Sequence, residues 1–415
     1  MVLCPLALLL LCAQQPASAV RTAPPATVLV DPLRNTLDGA ARAARQALAS
    51  PDACGVRVLL GPGRHTLPDG GLQLDRRDSG HGRGCKAVWS GPGAVISGGR
   101  PVPGPWQLHD EVRDIWMAPL PDLAIPGPRQ LYIGGKRANR ARSPVNTTLT
   151  HKHGMDGQWI PGCLINSSQP SACNFTVTAA GFILQTAAAL PSATICPPPT
   201  ATKPYTCELE MAWTGRADAW NAPRCPVRGI LSRAGEPPLL HTTEFVMAQP
   251  CWENGAFKKG HVGAIRELPV FIENAVELIN QPGDFATSRG YVYARPWTPR
   301  VAPQGAEVPG DVHLLRLNGT QHLDLEGLTF EKAGWLAPST GDGFIDVQAA
   351  HRLFGNATFA PHCQLPSAPG LPPGEGGPPC AAPMPAHVPP PHNIFIWRRY
   401  TQILHACFTY SSTKH

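Results

Sequence analysis

Few groups in this sequence have types and spacing that could do chemistry together. In GDGFIDVQAA, Gly341 to Ala350, two carboxylates, Asp342 and Asp346, stand four residues apart. Cleavage of a glycosidic bond uses two carboxyl groups, one of them a proton donor, about 5–5.5 Å apart for retention and about 6.5–9.5 Å for inversion. If the segment is extended, the even spacing puts both on one face but about 13 Å apart at about 3.3 Å per residue. Each would then need a partner from elsewhere in the chain. The plainer expectation is a turn residue before Gly343 and a solvated strand residue. Glu326 and Glu331 flank a Leu-Thr-Phe strand and could line a groove or simply face water. Trp335, Trp397, Trp252 and Trp297 offer flat faces that can stack on sugar rings, although buried packing is the commoner fate of tryptophan. His151-Lys152-His153 lacks a third ligand at a telling distance, so no metal site is expected. The candidates are therefore Asp342 and Asp346 for catalysis, and Trp335, Trp397 and Glu326 for binding. No cofactor is implied.

The elements that must position these residues are short strands. LRLNGTQHLDLEGLTFEKAGW, Leu315 to Trp335, alternates apolar and polar residues, meets Gly327 and resumes. The segment reads as a rung of a stack rather than a hairpin, because His392 to Ile396 restarts the pattern of His322 to Leu325. In both, two apolar residues at i and i+2 are followed by an aromatic, Phe330 or Tyr400. Single rungs cannot bury their own apolar residues and need neighbours above and below. Between the two runs lies a Pro-rich loop, 361–392, which Cys363 and Cys380 are expected to close.

Upstream, Ala26 to Pro32 and Val56 to Leu60 read as strands. Between them LDGAARAARQALA carries Leu37, Ala40, Ala41, Ala44 and Leu48 at helical spacing, with Thr36 as N-cap. Leu72 to Leu74, Ala87 to Trp89 and Ala94 to Ser97 are further strand pieces between Gly-bearing turns. From 107 to 310 the strands are separated by long polar loops holding six cysteines, which predicts an inserted antiparallel β domain stapled by disulfides. Residues 20–106 then form an N-terminal cap with first rungs, and 311–415 further rungs.

An apolar run ending in Ala17-Ser18-Ala19 predicts a signal peptide over residues 1–19 and secretion. Sequons at Asn146, Asn166, Asn174, Asn318 and Asn356 fit a glycoprotein. Eleven of the 13 cysteines lie beyond that signal, without zinc spacing, so disulfides are expected. With a net charge of +6 and no basic block, nucleic acid is excluded as a partner. Phe175 to Ile195 is uncharged, but its Thr, Gln, Ser and Pro content predicts buried β structure, so no membrane span is expected in the mature chain.

Several phrases together resemble a known group: VISGG (Val95 to Gly99), RQLYIGGKRANRARSP (Arg129 to Pro144), FIENAVELINQPGDF (Phe271 to Phe285) and LDLEGLTFEKAGW followed by GDGFIDVQAA. Their order is similar to secreted right-handed parallel β-helix proteins of the pectate-lyase-like superfamily, closest to the glycoside hydrolases that include α-L-fucosidase and xylanase members. The resemblance implies a mainly-β chain: the start of a right-handed parallel β-helix, an N-terminal capping helix and an inserted antiparallel β domain. It also implies a polysaccharide or glycan partner, and places the family's catalytic carboxylates on later rungs, beyond His415. A pectate-lyase-type eliminase would want clustered carboxylates for calcium, and none is evident. The alternative is a non-catalytic extracellular glycan-binding or matrix protein, or an inactive relic.

Overall fold

A computed structural model describes residues 24–123, 127–143, 173–186, 207–213, 222–235, 241–256, 269–346, 352–353 and 394–397. The described chain is mainly β, with a helix at Leu37–Leu48 and a short one at Cys251–Ala256. Its sheets are mixed: two ladders are parallel and the larger part of the pairing is antiparallel.

The first parallel ladder orders Ala26–Val30, Val56–Leu60, Ala87–Ser97 and Leu323–Glu331 side by side, with Gly63–Thr66 also on the Ala87–Ser97 strand. Val58 and Leu325 flank Trp89 in register. In the second ladder Leu72–Asp75 and Ile394–Trp397 lie on either side of Leu315–Asn318, with Leu72 and Ile394 both opposite Leu315. LQLD and LRLN each turn two leucines inward, and Leu72, Leu74, Leu315 and Leu317 are at most 2% exposed. This period-two pattern holds the register, since a one-residue slip would turn every leucine to water.

Leu315–Asn318 and Leu323–Glu331 therefore do not form a hairpin: each joins a different parallel ladder. The expected equivalence of the later run is corrected, however. Ile394 pairs with Leu315, so this run follows Leu315–Asn318 and not Leu323–Leu325. Two apolar residues at i and i+2 occur in both strands, and the motif alone could not tell them apart.

The helix follows its sequence pattern. Thr36 Oγ1 accepts a hydrogen bond from the Gly39 amide at 3.1 Å, and Leu37, Ala40, Ala41, Ala44 and Leu48 form the buried face. Its small alanines let the helix close on the leucines, Trp89 and Ile96 as one core. Arg45 ties the helix to buried Asp78 by two hydrogen bonds, 2.8 and 2.9 Å.

The middle of the chain builds three further sheets, antiparallel but for the Asn139–Arg140 edge, which runs parallel to Asp284–Ser288. Phe182, Phe245, Trp213 and Trp252 centre the largest core there. Cys173–Val177 and Gly181–Thr186 pair as a hairpin with Phe182 and Leu184 buried. Gly99–Pro101 pairs antiparallel with Glu307–Pro309, so the middle region leaves and returns through adjacent strands. Disulfides join Cys54 to Cys85 and Cys225 to Cys251, and Cys207 is disulfide-bonded as well. These bonds are compatible with an extracellular setting. No helix among the described residues is long and apolar enough to cross a membrane. The predicted signal peptide, the Pro-rich loop with Cys363 and Cys380, and the His151–His153 pair lie outside the described residues.

Candidate functional site: an arginine-rich junction

The site begins with an unfavourable cross-strand pair. In the antiparallel pairing of Glu210–Ala212 with Phe271–Glu273, Glu210 lies directly opposite Glu273. Like charges at such positions repel, and both carboxylates are nearly buried, at 3% and 6% side-chain exposure. Cations from other elements resolve the conflict. Arg129 forks across the pair, donating Nη1 to Glu210 and Nη2 to Glu273, the latter at 2.6 Å. Arg140 Nη2 reaches Glu210 Oε1 at 2.6 Å, and Arg224 Nη1 reaches Glu273 Oε1 at 3.3 Å. Ser339 Oγ donates to Glu210 Oε1 at 2.6 Å, bringing in the segment that follows the Leu323–Glu331 strand.

Burial lowers the Arg129 guanidinium to about 10, partly offset by Glu273. Burial, and then Arg129, also hold the Arg140 guanidinium well below its ordinary value. Burial alone would raise the Glu273 carboxyl, but Arg129, Arg140 and Arg224 outweigh it and hold the group below the usual carboxylate range. Glu273 is thus kept ionised, which suits an anchor and not a proton donor.

Trp335 lies on this network. The guanidinium carbons of Arg129 and Arg224 are 5.3 and 5.6 Å from its ring centroid, and Phe344 meets it edge-on at 5.2 Å. The turn that follows is docked on the middle sheet: Arg224 and Phe344 exchange backbone hydrogen bonds of 2.9 and 2.8 Å. Gly343 has φ +60°, and a Cβ there would meet Cys251 Sγ at 2.0 Å and the Arg224 carbonyl oxygen at 2.5 Å. Only glycine lets the turn sit this close to the Cys225–Cys251 disulfide.

The expected site residues therefore divide. Trp335 comes to the junction with the arginines, whereas Asp342 is half-buried in the Thr340–Gly343 turn that precedes Phe344. That turn breaks the extended geometry from which a common face for Asp342 and Asp346 was expected. Asp346 ends the Ile345–Asp346 strand, its backbone opposite Arg352. Glu326 is elsewhere, exposed on the first parallel ladder and 3.8 Å from Arg57. Trp397 belongs to the second ladder, its backbone opposite Asn318. Trp252 is a core residue whose Nε1 donates to the Thr178 carbonyl at 2.8 Å. Of the sequons, Asn174 and Asn318 are exposed, while Asn146, Asn166 and Asn356 lie outside the described residues.

Arg129, Arg140, Glu210, Arg224 and Ser339 were not legible as a group. One signal was present: Glu210 stands between Leu209 and Met211 in a strand, where an unpaired charge would be costly. Asn274, at φ +71°, fixes the strand end by hydrogen bonds to the Glu208 and Thr287 carbonyls and from the Thr287 amide.

A second polar feature is a cleft of about 230 Å³ lined by Asp69, Arg100, Asp122, Leu123 and Gly310. Arg100 there holds buried Asp311 at 3.2 Å. No group of three or more metal-binding side chains occurs among the described residues. No family model, no curated protein and no solved structure matches the chain.

Proposed function

We propose that this is a secreted carbohydrate-active protein of the glycoside hydrolase type, acting on a complex polysaccharide and built on the start of a right-handed parallel β-helix. One observation carries the reading. Phrases that resemble such enzymes, though far apart in sequence, supply the parts of a single junction: Arg129 and Arg140, then Glu273, then Trp335. The repeated parallel registers at Trp89 and Leu315 support the β-helix part. A half-buried tryptophan flanked by guanidiniums is suited to hold a sugar ring.

The rival reading is a non-catalytic glycan-binding protein. It is favoured by the state of the two glutamates: Glu210 and Glu273 are both held in ion pairs, and Glu273 is kept ionised. Incubation of the secreted chain with a panel of polysaccharides, followed by assay of new reducing ends, separates the two. The hydrolase reading expects release from at least one polymer, reduced at least tenfold in Trp335→Ala. Binding on a glycan array without any release would establish the rival. Release that survives in both Asp342→Asn and Asp346→Asn would keep the enzyme and remove these two as its carboxylates.

A further inference from the structure

The arginine junction has more hydrogen-bond donors than its own carboxylates use. Three guanidiniums face Glu210 and Glu273, and exposed Glu208 adds only a longer-range negative charge at Arg140. Among the described residues, four buried donors at the junction have no hydrogen-bond partner: Arg129 Nε, Arg140 Nε (3.8 Å from Glu273 Oε1), Arg140 Nη1 and Trp335 Nε1. Leaving a buried donor unpaired costs about 1–3 kcal/mol, more for a charged group. Native interiors leave few such groups, and a cluster of them calls for an acceptor from outside the chain.

Burial is uneven across the arrangement. Arg129 and Arg140 are at most 9% exposed, whereas Arg224 is 25% exposed and Trp335 is half-buried beside it. Exposed Arg142, 5.3 Å from the Phe271 ring, adds positive charge on the same strand end. A neutral hydroxyl could accept one of these hydrogen bonds, but an oxyanion also answers the surplus positive charge. Charge-assisted hydrogen bonds to guanidinium are about twice as strong as neutral ones.

We propose that this junction binds an oxyanion, the carboxylate or sulfate ester of its ligand, with the Arg224 guanidinium at the mouth and the buried Trp335 Nε1 and Arg140 donors more deeply placed. That the ligand is a saccharide rests on the function proposed above; the oxyanion site does not. The full secreted chain would be titrated with sodium sulfate and, separately, sodium acetate at chloride-matched ionic strength, reading thermal midpoint and tryptophan fluorescence. Because sulfate stabilises folded proteins generally through exclusion, only a response that saturates below about 10 mM counts.

The expected result is saturable binding of one or both anions. Read by thermal midpoint, it should weaken about tenfold, or about 1.4 kcal/mol, in Trp335→Phe, which keeps an aromatic ring but loses the donor, and in Arg224→Gln. A response to sulfate alone or acetate alone supports the site and assigns its oxyanion. A linear response that is the same in both variants overturns the proposal. Charged and uncharged oligosaccharides then separate the two claims. Binding of uncharged sugars without any saturable anion response overturns the oxyanion site and leaves the carbohydrate reading. Saturable anion binding without any saccharide binding supports the site and overturns that reading.

Discussion

Glu273 meets three arginines that reach it from two other stretches of chain, and its loss would leave Glu210 as the one carboxylate of that buried network. Removing one partner of a buried ion network costs about 3–5 kcal/mol, because the remaining charges stay desolvated. Glu273→Gln is therefore expected to lower the urea-unfolding free energy by that amount. Glu326→Gln, half-exposed and 3.8 Å from its arginine, should change it by no more than about 0.5 kcal/mol. The pH dependence follows from the lowered Glu273 carboxyl. Its contribution is fully present above the ordinary value of 4.5 and is lost as pH falls through the lower folded-state value. Urea midpoints between pH 7 and pH 3 should thus fall more steeply in the wild type than in Glu273→Gln, and parallel slopes would remove Glu273 from the acid response. Asp342 was legible as a turn residue because Gly343 follows it. The network was not, because it joins residues 81 and 144 positions apart through a cross-strand register that no local spacing encodes.

The turn at Gly343 decides where the loop from Trp335 to Asp346 goes. In Gly343→Ala, the new methyl must displace Cys251 or the Arg224 carbonyl at positive φ, at a cost of at least about 1–3 kcal/mol. Lower thermal stability with a changed Trp335 environment in fluorescence is expected, whereas Gly82→Ala, with open space around it, should be silent in both. Elements with local causes were plain in the sequence. The Leu37–Leu48 helix follows from one cap and five apolar positions, and Leu72–Asp75 from alternation. The loop's destination was hidden. Sequence position assigned residues 311–415 to the rungs, but the backbone of Phe344 is hydrogen-bonded to Arg224 of the middle sheet. The boundary at 106 likewise cuts close to Gly99–Pro101, a strand that completes a sheet with Glu307–Pro309.

At the scale of the molecule there are separate apolar cores, one inside the parallel ladders and others within the middle sheets. Damage to one should be felt unequally. Leu317→Ala, at a site 1% exposed, is expected to cost about 2–5 kcal/mol. Native-state hydrogen exchange should show this loss at the amides of Val56–Leu60 and Ala87–Ser97. Amides of Gly181–Thr186 and His241–Met247, which belong to the other core, should keep their protection. Equal loss at all four strands would mean that the molecule opens as one cooperative unit.

The adjacent departure and return of the middle region has an entropic consequence. Val102 donates to the Ala306 carbonyl at 2.9 Å and Gly310 to the Gly98 carbonyl at 2.8 Å, so the two ends of the excursion are pinned like the stem of a loop. Closure cost rises by only about 0.6 kcal/mol per doubling of length once such a stem exists. Growth or shrinkage beyond the stem is therefore nearly invisible to the ladders, and what a shorter excursion would forfeit is Arg129, Arg140, Glu210, Arg224 and Glu273. The parallel ladders can tolerate a change in length here that the arginine junction cannot.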